Sequence, residues 1–203
     1  EEGDPKDAAT LEALFKENVK AKAINIAKGM EIEMSEDDIN NFDQKKRTKD
    51  PELGMVAPAN DAGVRRISKD ALVFFVEKDG KTDKIILPVE GKGLWSTLYG
   101  FVALEADTKT IAGLIFYQHG ETPGLGGEVD NPSWKAKWPG KKAFDDKWAP
   151  KIDVVKGIAK DDYEVDGLSG ATITSRGVGK LLRFWLSEDA FGTYLKTLRE
   201  KRG

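Results

Sequence analysis

The sequence predicts an α+β fold, a curved antiparallel sheet flanked by helices. Two observations predict it: four runs rich in Val, Ile, Leu and Phe crowd between Ala71 and Gln118, and amphipathic helical patterns lie at either end of the 203-residue chain. A third removes the main competitor. Strands and helices do not alternate, so a doubly wound parallel sheet, which needs a helical crossover between successive strands, is not expected.

From the N-terminal side, Asp7 to Gly29 reads as a helix. Leu11, Leu14, Phe15, Val19, Ala23, Ile26 and Ala27 fall broadly on one face, and Gly29 supplies a stop. This face is expected against the body of the protein, with Met30 and Met34 filling gaps beyond it. Ser35 before Glu36-Asp37-Asp38 marks a short second helix, with a capping hydroxyl and acidic residues at the positive end of the dipole. Lys45 to Gly63, with Lys45-Lys46-Arg47 and scattered Pro and Gly, reads as a solvated connection. Residues 1–65 are therefore expected as a helical extension and 66–203 as the main domain.

The strands follow. Ala71–Glu77 and Lys84–Glu90 flank Lys78-Asp79-Gly80-Lys81, a hairpin signal. Leu98–Ala106 and Ile111–Gln118 flank Asp107-Thr108-Lys109, and connections this short make neighbours antiparallel. Between the second and third strands, Gly91-Lys92-Gly93-Leu94-Trp95-Ser96 sets an aromatic ring on flexible backbone; Trp95 serves there either as an edge of the core or as a stacking surface. After the fourth strand, His119-Gly120-Glu121-Thr122-Pro123-Gly124-Leu125-Gly126-Gly127-Glu128 must turn sharply. Its glycines can take positive φ and admit a planar ligand, or form a plain surface turn. No β-α-β pattern follows, so the glycines do not make a dinucleotide-binding loop. Trp134-x-x-x-Trp138, with Lys135, Lys137, Lys141 and Lys142, reads as a short helix with a cationic flank. A strand over Ile152–Val155 and a last helix over Glu188–Arg199, packing Phe191, Tyr194, Leu195 and Leu198, complete the chain.

Composition narrows the chemistry. With 32 Lys and Arg against 35 Asp and Glu, the net charge is −3 and bulk electrostatics do not point to nucleic acid. The chain has no Cys and one His, which excludes disulfides, thiolate iron–sulfur ligation, a Cys nucleophile and a multi-histidine metal site. Redox chemistry here needs an organic cofactor. His119, alone at a strand end, is expected to be structural, and no Ser-His-Asp grouping is visible. No apolar run approaches the ~20 residues of a membrane span, and the start at Glu1 without an initiator Met is expected of a truncated or processed product.

Asp166-Gly167-Leu168-Ser169-Gly170-Ala171-Thr172-Ile173-Thr174-Ser175 crowds small residues and hydroxyls before an amphipathic helix carrying Val178, Leu181, Leu182, Trp185 and Leu186. The first-turn N–H groups suit an anion, and Gly170 and Ala171 let a bulky partner approach Ser169 and Thr172. From the local physics alone the same hydroxyls read first as an ordinary N-cap for a helix expected to begin near Ser175.

Asp166-x-x-Ser169-Gly170-Ala171-Thr172 resembles the acceptor motif at which a flavin transferase esterifies FMN phosphate to threonine. From about Leu72 to Arg199 the chain resembles the family of C subunits of sodium-translocating NADH:quinone reductases, related to the G subunit of the Rnf complex. Gly93-Leu94-Trp95-Ser96, Glu121-Thr122-Pro123-Gly124-Leu125-Gly126, Trp134 with Trp138, and Phe191-Gly192-x-Tyr194-Leu195 carry that likeness. The resemblance implies FMN bound covalently through its phosphate to Thr172, with Thr174 as the competing hydroxyl. Asp166, Leu168, Ser169, Gly170 and Ala171 would surround the attachment. Leu94, Trp95, Ser96, Glu121, Thr122, Leu125 and Gly126 would contact the ring. It further implies a one-electron carrier, a soluble domain on the periplasmic side of the bacterial inner membrane, with a separate N-terminal membrane helix, further reductase subunits and a flavin transferase as partners. The alternatives are an Rnf-type electron-transport protein, a flavin reductase binding FMN reversibly, and a non-redox accessory domain in which the threonine turn is only a cap.

Overall fold

The computed structural model describes residues 18–201. Its elements are, in chain order, β1 (Val19–Asn25), β2 (Met30–Ile32), α1 (Glu36–Asn40), α2 (Gln44–Lys49), β3 (Gly54–Val56), β4 (Arg66–Ser68), β5 (Asp70–Lys78) and β6 (Lys81–Lys92). There follow β7 (Thr97–Glu105), β8 (Ile111–Gln118), a 3₁₀ turn at Gly126–Asp130, α3 (Pro132–Lys135), β9 (Asp153–Val155), β10 (Glu164–Asp166), α4 (Thr172–Trp185) and α5 (Gly192–Glu200). The frame is a six-stranded antiparallel sheet in the order β2-β1-β5-β6-β7-β8.

Strands β5 to β8 fall where the apolar runs predicted them. Asp79 and Gly80 both have positive φ, 52° and 72°, so the β5–β6 turn twists with its strands, as a two-residue hairpin requires. In the β7–β8 turn, Asp107 Oδ1 accepts the N–H groups of Lys109 and Thr110, each at 2.8 Å. Register shifts at Val76/Glu77, Tyr99/Gly100 and Ala103/Leu104 bend the sheet. One face carries Val73, Phe75, Ile85, Leu87, Val102, Leu104 and Leu114, buried in one core with Val178, Leu181, Leu182 and Trp185 of α4 and Tyr194, Leu195 and Leu198 of α5.

The N-terminal segment differs from its expected form. Val19–Asn25 is not helical but pairs along its whole length with β5, from Val19 opposite Val76 to Asn25 opposite Asp70. Gly29, at φ 58°, closes a turn into β2 and caps no helix. Backbone pairing with β5, joined by the Lys20–Glu77 and Lys22–Glu31 ion pairs, overrides the helical spacing of Val19, Ala23 and Ile26. Residues 7–17 of the expected helix lie outside the described residues. Part of the stretch expected as a helical extension thus supplies β1 and β2 to the main sheet. Met30 is 60% exposed and fills no core gap.

Ser35 caps α1 as expected, its Oγ accepting from Asp38 N at 3.1 Å. The stretch expected as a solvated connection instead holds α2 and β3. Arg47 pairs with Asp70 at 2.8 Å, and Arg66 donates to the carbonyls of Thr48 and Asp50. Phe144 and the Trp134/Trp138 pair, in edge-to-face contact at 5.3 Å, enter the core beside β9 and β10, a short parallel pair ending at the acceptor turn.

Candidate functional site

Strand β6 and helix α4 meet at two glycines, which sets the position of everything above them. A Cβ at Gly91 would lie 2.4 Å from Leu181 Cβ, and one at Gly177 would lie 2.4 Å from the Lys92 carbonyl oxygen. Only glycine permits this approach, and the Trp185 indole locks it by donating to the Glu90 carbonyl at 2.6 Å. The N-terminus of α4 is thereby brought beside the turn that leaves β6.

Three segments converge there. The turn after β6 carries Leu94, Trp95 and Ser96; the loop after β8 carries Glu121 to Gly126; and the turn before α4 carries Gly167 to Thr172. Glu121 ties them together. Its Oε1 accepts the N–H of Trp95 and of Ser96 and the Ser96 hydroxyl, all at 3.0 Å, while Oε2 accepts Leu94 N–H at 3.1 Å and the Thr174 hydroxyl at 2.6 Å. Burial raises this carboxyl's pKa, but the Thr174 hydroxyl and the three backbone donors outweigh it and hold it below the usual glutamate value. The third segment is fastened by Ser175 Oγ, which accepts Leu168 N–H at 2.9 Å, and it rests on the second where Gly170 approaches Leu125.

The site residues expected from the sequence divide by where their atoms point. Leu94, Trp95 and Leu125 are 40%, 71% and 44% exposed, and Ile173, which sequence reasoning passed over, is 55% exposed. Ser169 and Gly170 are open to solvent, and Gly170 has φ 71°. Thr172 is half-buried and lines a cleft of about 320 Å³ with Leu168, Ser169, Lys156 and Arg176. Leu94 and Ile173 line a second cleft, of about 380 Å³, with Lys92, Arg176 and Lys180.

Most of the remaining expected residues are engaged with the protein itself, Thr122 being the exposed one. The side chains of Glu121 and Ser96 are engaged with each other and with backbone, Ser96 Oγ also accepting Gly120 N–H at 2.8 Å. The Thr122 carbonyl accepts the N–H groups of Leu125 and Gly127. Gly126 is buried, and a Cβ there would meet Thr174 Oγ1 at 2.6 Å and Glu121 Oε2 at 2.8 Å, so it serves the fit of loop to helix. Of the loop glycines only Gly124, at φ 75°, has positive φ. Asp166 holds the Lys137 ammonium and Ala159 N–H, which lower its pKa, and its carbonyl accepts the Trp134 indole at 2.8 Å. His119 Nε2 bonds to Asp130 Oδ2 at 2.8 Å and its Nδ1 accepts Glu121 N–H at 3.2 Å.

Helix α4 begins at Thr172, three residues before its expected start, and its N-cap Ala171 has no side chain to cap it. The N–H groups of the first turn therefore have neither an intrahelical carbonyl nor a capping side chain, and Arg176 stands one turn further along. Thr174, 1% exposed and bonded to Glu121, does not face this opening. An uncapped helix start with a hydroxyl at its first residue, with exposed Leu94 and Ile173 on the adjoining cleft, Leu125 against Gly170 and Trp95 on the turn tied to α4 through Glu121, fits a phosphate joined to a planar ring.

Comparison with known proteins agrees with this geometry. A family described as FMN-binding domain matches residues 93–187, which span the Trp95 turn, the Glu121 loop and α4. The C subunit of the Na(+)-translocating NADH-quinone reductase of Pseudomonas aeruginosa is 47% identical over 94% of this chain and 75% of its own length. That of Vibrio vulnificus is 43% identical over 92% and 74%. Among solved structures, Shewanella oneidensis NqrC superposes with a TM-score of 0.91 at 36% identity, covering 97% of this chain and 91% of that one. The corresponding protein from Parabacteroides distasonis gives 0.70 at 29% identity, covering 95% and 85%. The chain belongs to the family of C subunits of Na(+)-translocating NADH-quinone reductases.

Proposed function

We propose that this chain is a one-electron carrier whose FMN is joined by its phosphate to the Thr172 side-chain oxygen. It would act within a membrane complex that moves electrons from NADH to quinone coupled to sodium transport. Its relatives bear the name of such a reductase, and the FMN-binding match covers the site. One observation carries the attachment. Of the two threonines in the first turn of α4, Thr172 lines the open cleft while the Thr174 hydroxyl is buried and donated to Glu121.

On this reading Thr172 Oγ1 would give up its proton and form a bond to the FMN phosphorus as the phosphoanhydride bond of the flavin transferase's activated FMN donor breaks, the rest of that donor leaving and taking up the proton. The first-turn N–H groups and Arg176 hold the phosphate charge. When bound, FMN supplies one-electron redox chemistry that no side chain of this Cys-free chain provides. Trp95, with Leu94, Leu125 and Ile173, offers the ring an apolar bed and keeps water from one face, leaving an edge open to redox partners. Ser169, Gly170 and Ala171 keep the approach to Thr172 clear.

We also place the domain on the periplasmic side of the bacterial inner membrane, anchored by a helix outside this sequence. No helix of the described residues is long and apolar enough to cross a membrane. Recovery of the full-length product in the soluble fraction would overturn the anchoring. For the attachment, intact mass and visible absorbance after co-expression with a flavin transferase should show one FMN added and retained on denaturation. Flavin lost on denaturation would favour the reversible reductase, and a colourless product the accessory domain.

A further inference from the structure

We infer that Glu121 is the positioning residue of the flavin site, a buried carboxylate that fixes the Trp95 turn against the first turn of the helix bearing Thr172. The inference deepens the flavin reading above and rests on it. Three features carry it: the acid is 5% exposed, it is held by five hydrogen bonds, and its partners come from two segments far apart in sequence.

The geometry leaves the carboxylate no part in ligand contact by its own oxygens. Oε1 takes Trp95 and Ser96, Oε2 takes Leu94 and Thr174, and each bond is strengthened by the charge. Three successive N–H groups pointing at one carboxylate fix the backbone of the turn, and so fix the direction in which the exposed Trp95 ring leaves it. The Thr174 hydroxyl fixes the same carboxylate to α4, two residues from Thr172. Gly126 packs over the junction, where a methyl group would strike both Thr174 Oγ1 and Glu121 Oε2. A ring held by phosphate at Thr172 and bedded on Trp95 therefore has both ends referred to one side chain.

A neutral amide cannot reproduce this. Glutamine offers one acceptor oxygen and turns an NH₂ toward at least one of the three backbone donors. Valine at 174 removes the hydroxyl bond and keeps the volume.

The test uses the whole chain as Glu121→Gln, Glu121→Ala and Thr174→Val, with amide hydrogen exchange on the unloaded proteins and flavin emission after co-expression with the transferase. Exchange at Leu94, Trp95 and Ser96 should quicken roughly tenfold or more in Glu121→Gln, as expected for losing hydrogen bonds to an ionised group, while β5 and β7 core amides keep their rates. Flavin emission should rise as it does in Trp95→Ala, and the double variant Glu121→Gln/Trp95→Ala should show no further rise, because both changes remove one contact. Equal acceleration of every core amide would make Glu121 a general stabiliser, and unchanged exchange at 94–96 would remove its hold on the turn; either overturns the inference. So would emission unchanged in Glu121→Gln where Trp95→Ala raises it. If Trp95→Ala itself leaves emission unchanged, the stacking in the flavin reading fails and the exchange arm alone decides the role of Glu121. If Glu121→Ala does not fold, the glutamine and valine variants give the same readouts.

Discussion

Two threonines two residues apart offer a clean separation of chemistry from stability. Thr172 and Thr174 both lie in the first turn of α4, yet the Thr172 hydroxyl has no hydrogen-bond partner among the described residues, whereas that of Thr174 is buried and donates to Glu121 at 2.6 Å. Thr172→Ala removes an unpartnered hydroxyl at a helix start, so unfolding free energy should stay within about 0.5 kcal/mol of wild type. Thr174→Val preserves shape and deletes one hydrogen bond to a charged group, which should cost about 2 kcal/mol and lower Tm by roughly 4–8 °C for a domain of this size. The flavin results should run the other way. After co-expression with the transferase, Thr172→Ala should carry no covalent FMN and Thr174→Val should carry a full equivalent, as read by intact mass and peptide mapping. Covalent FMN on the Thr172→Ala protein would falsify the assignment of the acceptor. Equal Tm values for the two variants would refute the hydrogen-bond argument on which the distinction rests.

Other consequences can be measured separately. Trp95→Ala should leave attachment intact and change the flavin's emission or midpoint potential; no change in either would remove Trp95 from the ring's bed. Gly126→Val should lower the stability of both unloaded and flavinylated protein by about 1–3 kcal/mol, since the new side chain overpacks a filled junction; a loss confined to the flavinylated form would mean the glycine faces the ligand instead. Burial raises the Glu90 carboxyl to about 6, with Lys45 opposing, so in the folded protein it binds a proton that the unfolded chain releases nearer 4.5. Its ionisation costs the fold stability as pH rises through that window, and Glu90→Gln should stabilise by about 2 kcal/mol above pH 7, the gain vanishing below pH 4.5. A pH-independent difference in denaturant unfolding would contradict this. Asp166→Ala should reduce FMN attachment, and Lys137→Ala should do so too if Asp166 acts by fixing the acceptor turn; loss in the first variant alone would assign Asp166 to direct reading by the transferase.

What the sequence made legible was local. The strands β5 to β8 could be read because each is an apolar run of the right length and because Asp79-Gly80 and Asp107-Thr108 demand turns between them. Strand β1 could not, since Val19, Ala23 and Ile26 match a helical period and only the distant β5 makes a strand of them. The start of α4 reads late in the sequence for a related reason: Thr172, Ile173 and Thr174 are β-branched, weak helix formers, and the apolar helical period begins only beyond Ser175. In the fold Ser175 Oγ turns back to Leu168 N–H, and Ala171 takes the cap position without a side-chain bond. The glutamate in Glu121-Thr122-Pro123-Gly124 could be marked as a site residue, but its partners at 94 to 96 and at 174 are set by tertiary packing, so its inward orientation was not readable. Arg176 was within reach, being one helical turn from Thr172 on the same cleft.

The openness of the site and the proposed covalent attachment explain each other. The clefts beside Thr172 are flanks of one helix end, and four apolar side chains around it are between 40% and 71% exposed, so a ligand seated there is covered on one side only. Pockets that retain drug-sized ligands by contact alone bury some 70–90% of the ligand's surface. A carrier that must present its ring edge to a donor and then to an acceptor cannot enclose it to that degree. A phosphoester to a helix-borne threonine removes the conflict, because a tethered ring stays at an effective concentration in the millimolar range or above without needing affinity from an enclosing wall. On that proposal retention would rest on one bond at Thr172, and the surrounding residues would be left to orient the ring. It follows that Thr172→Ala protein given free FMN should bind it weakly and release it on gel filtration. Tight retention of free FMN by that variant would show that the pocket closes around the ligand, and the case for an open, tethered carrier would fail.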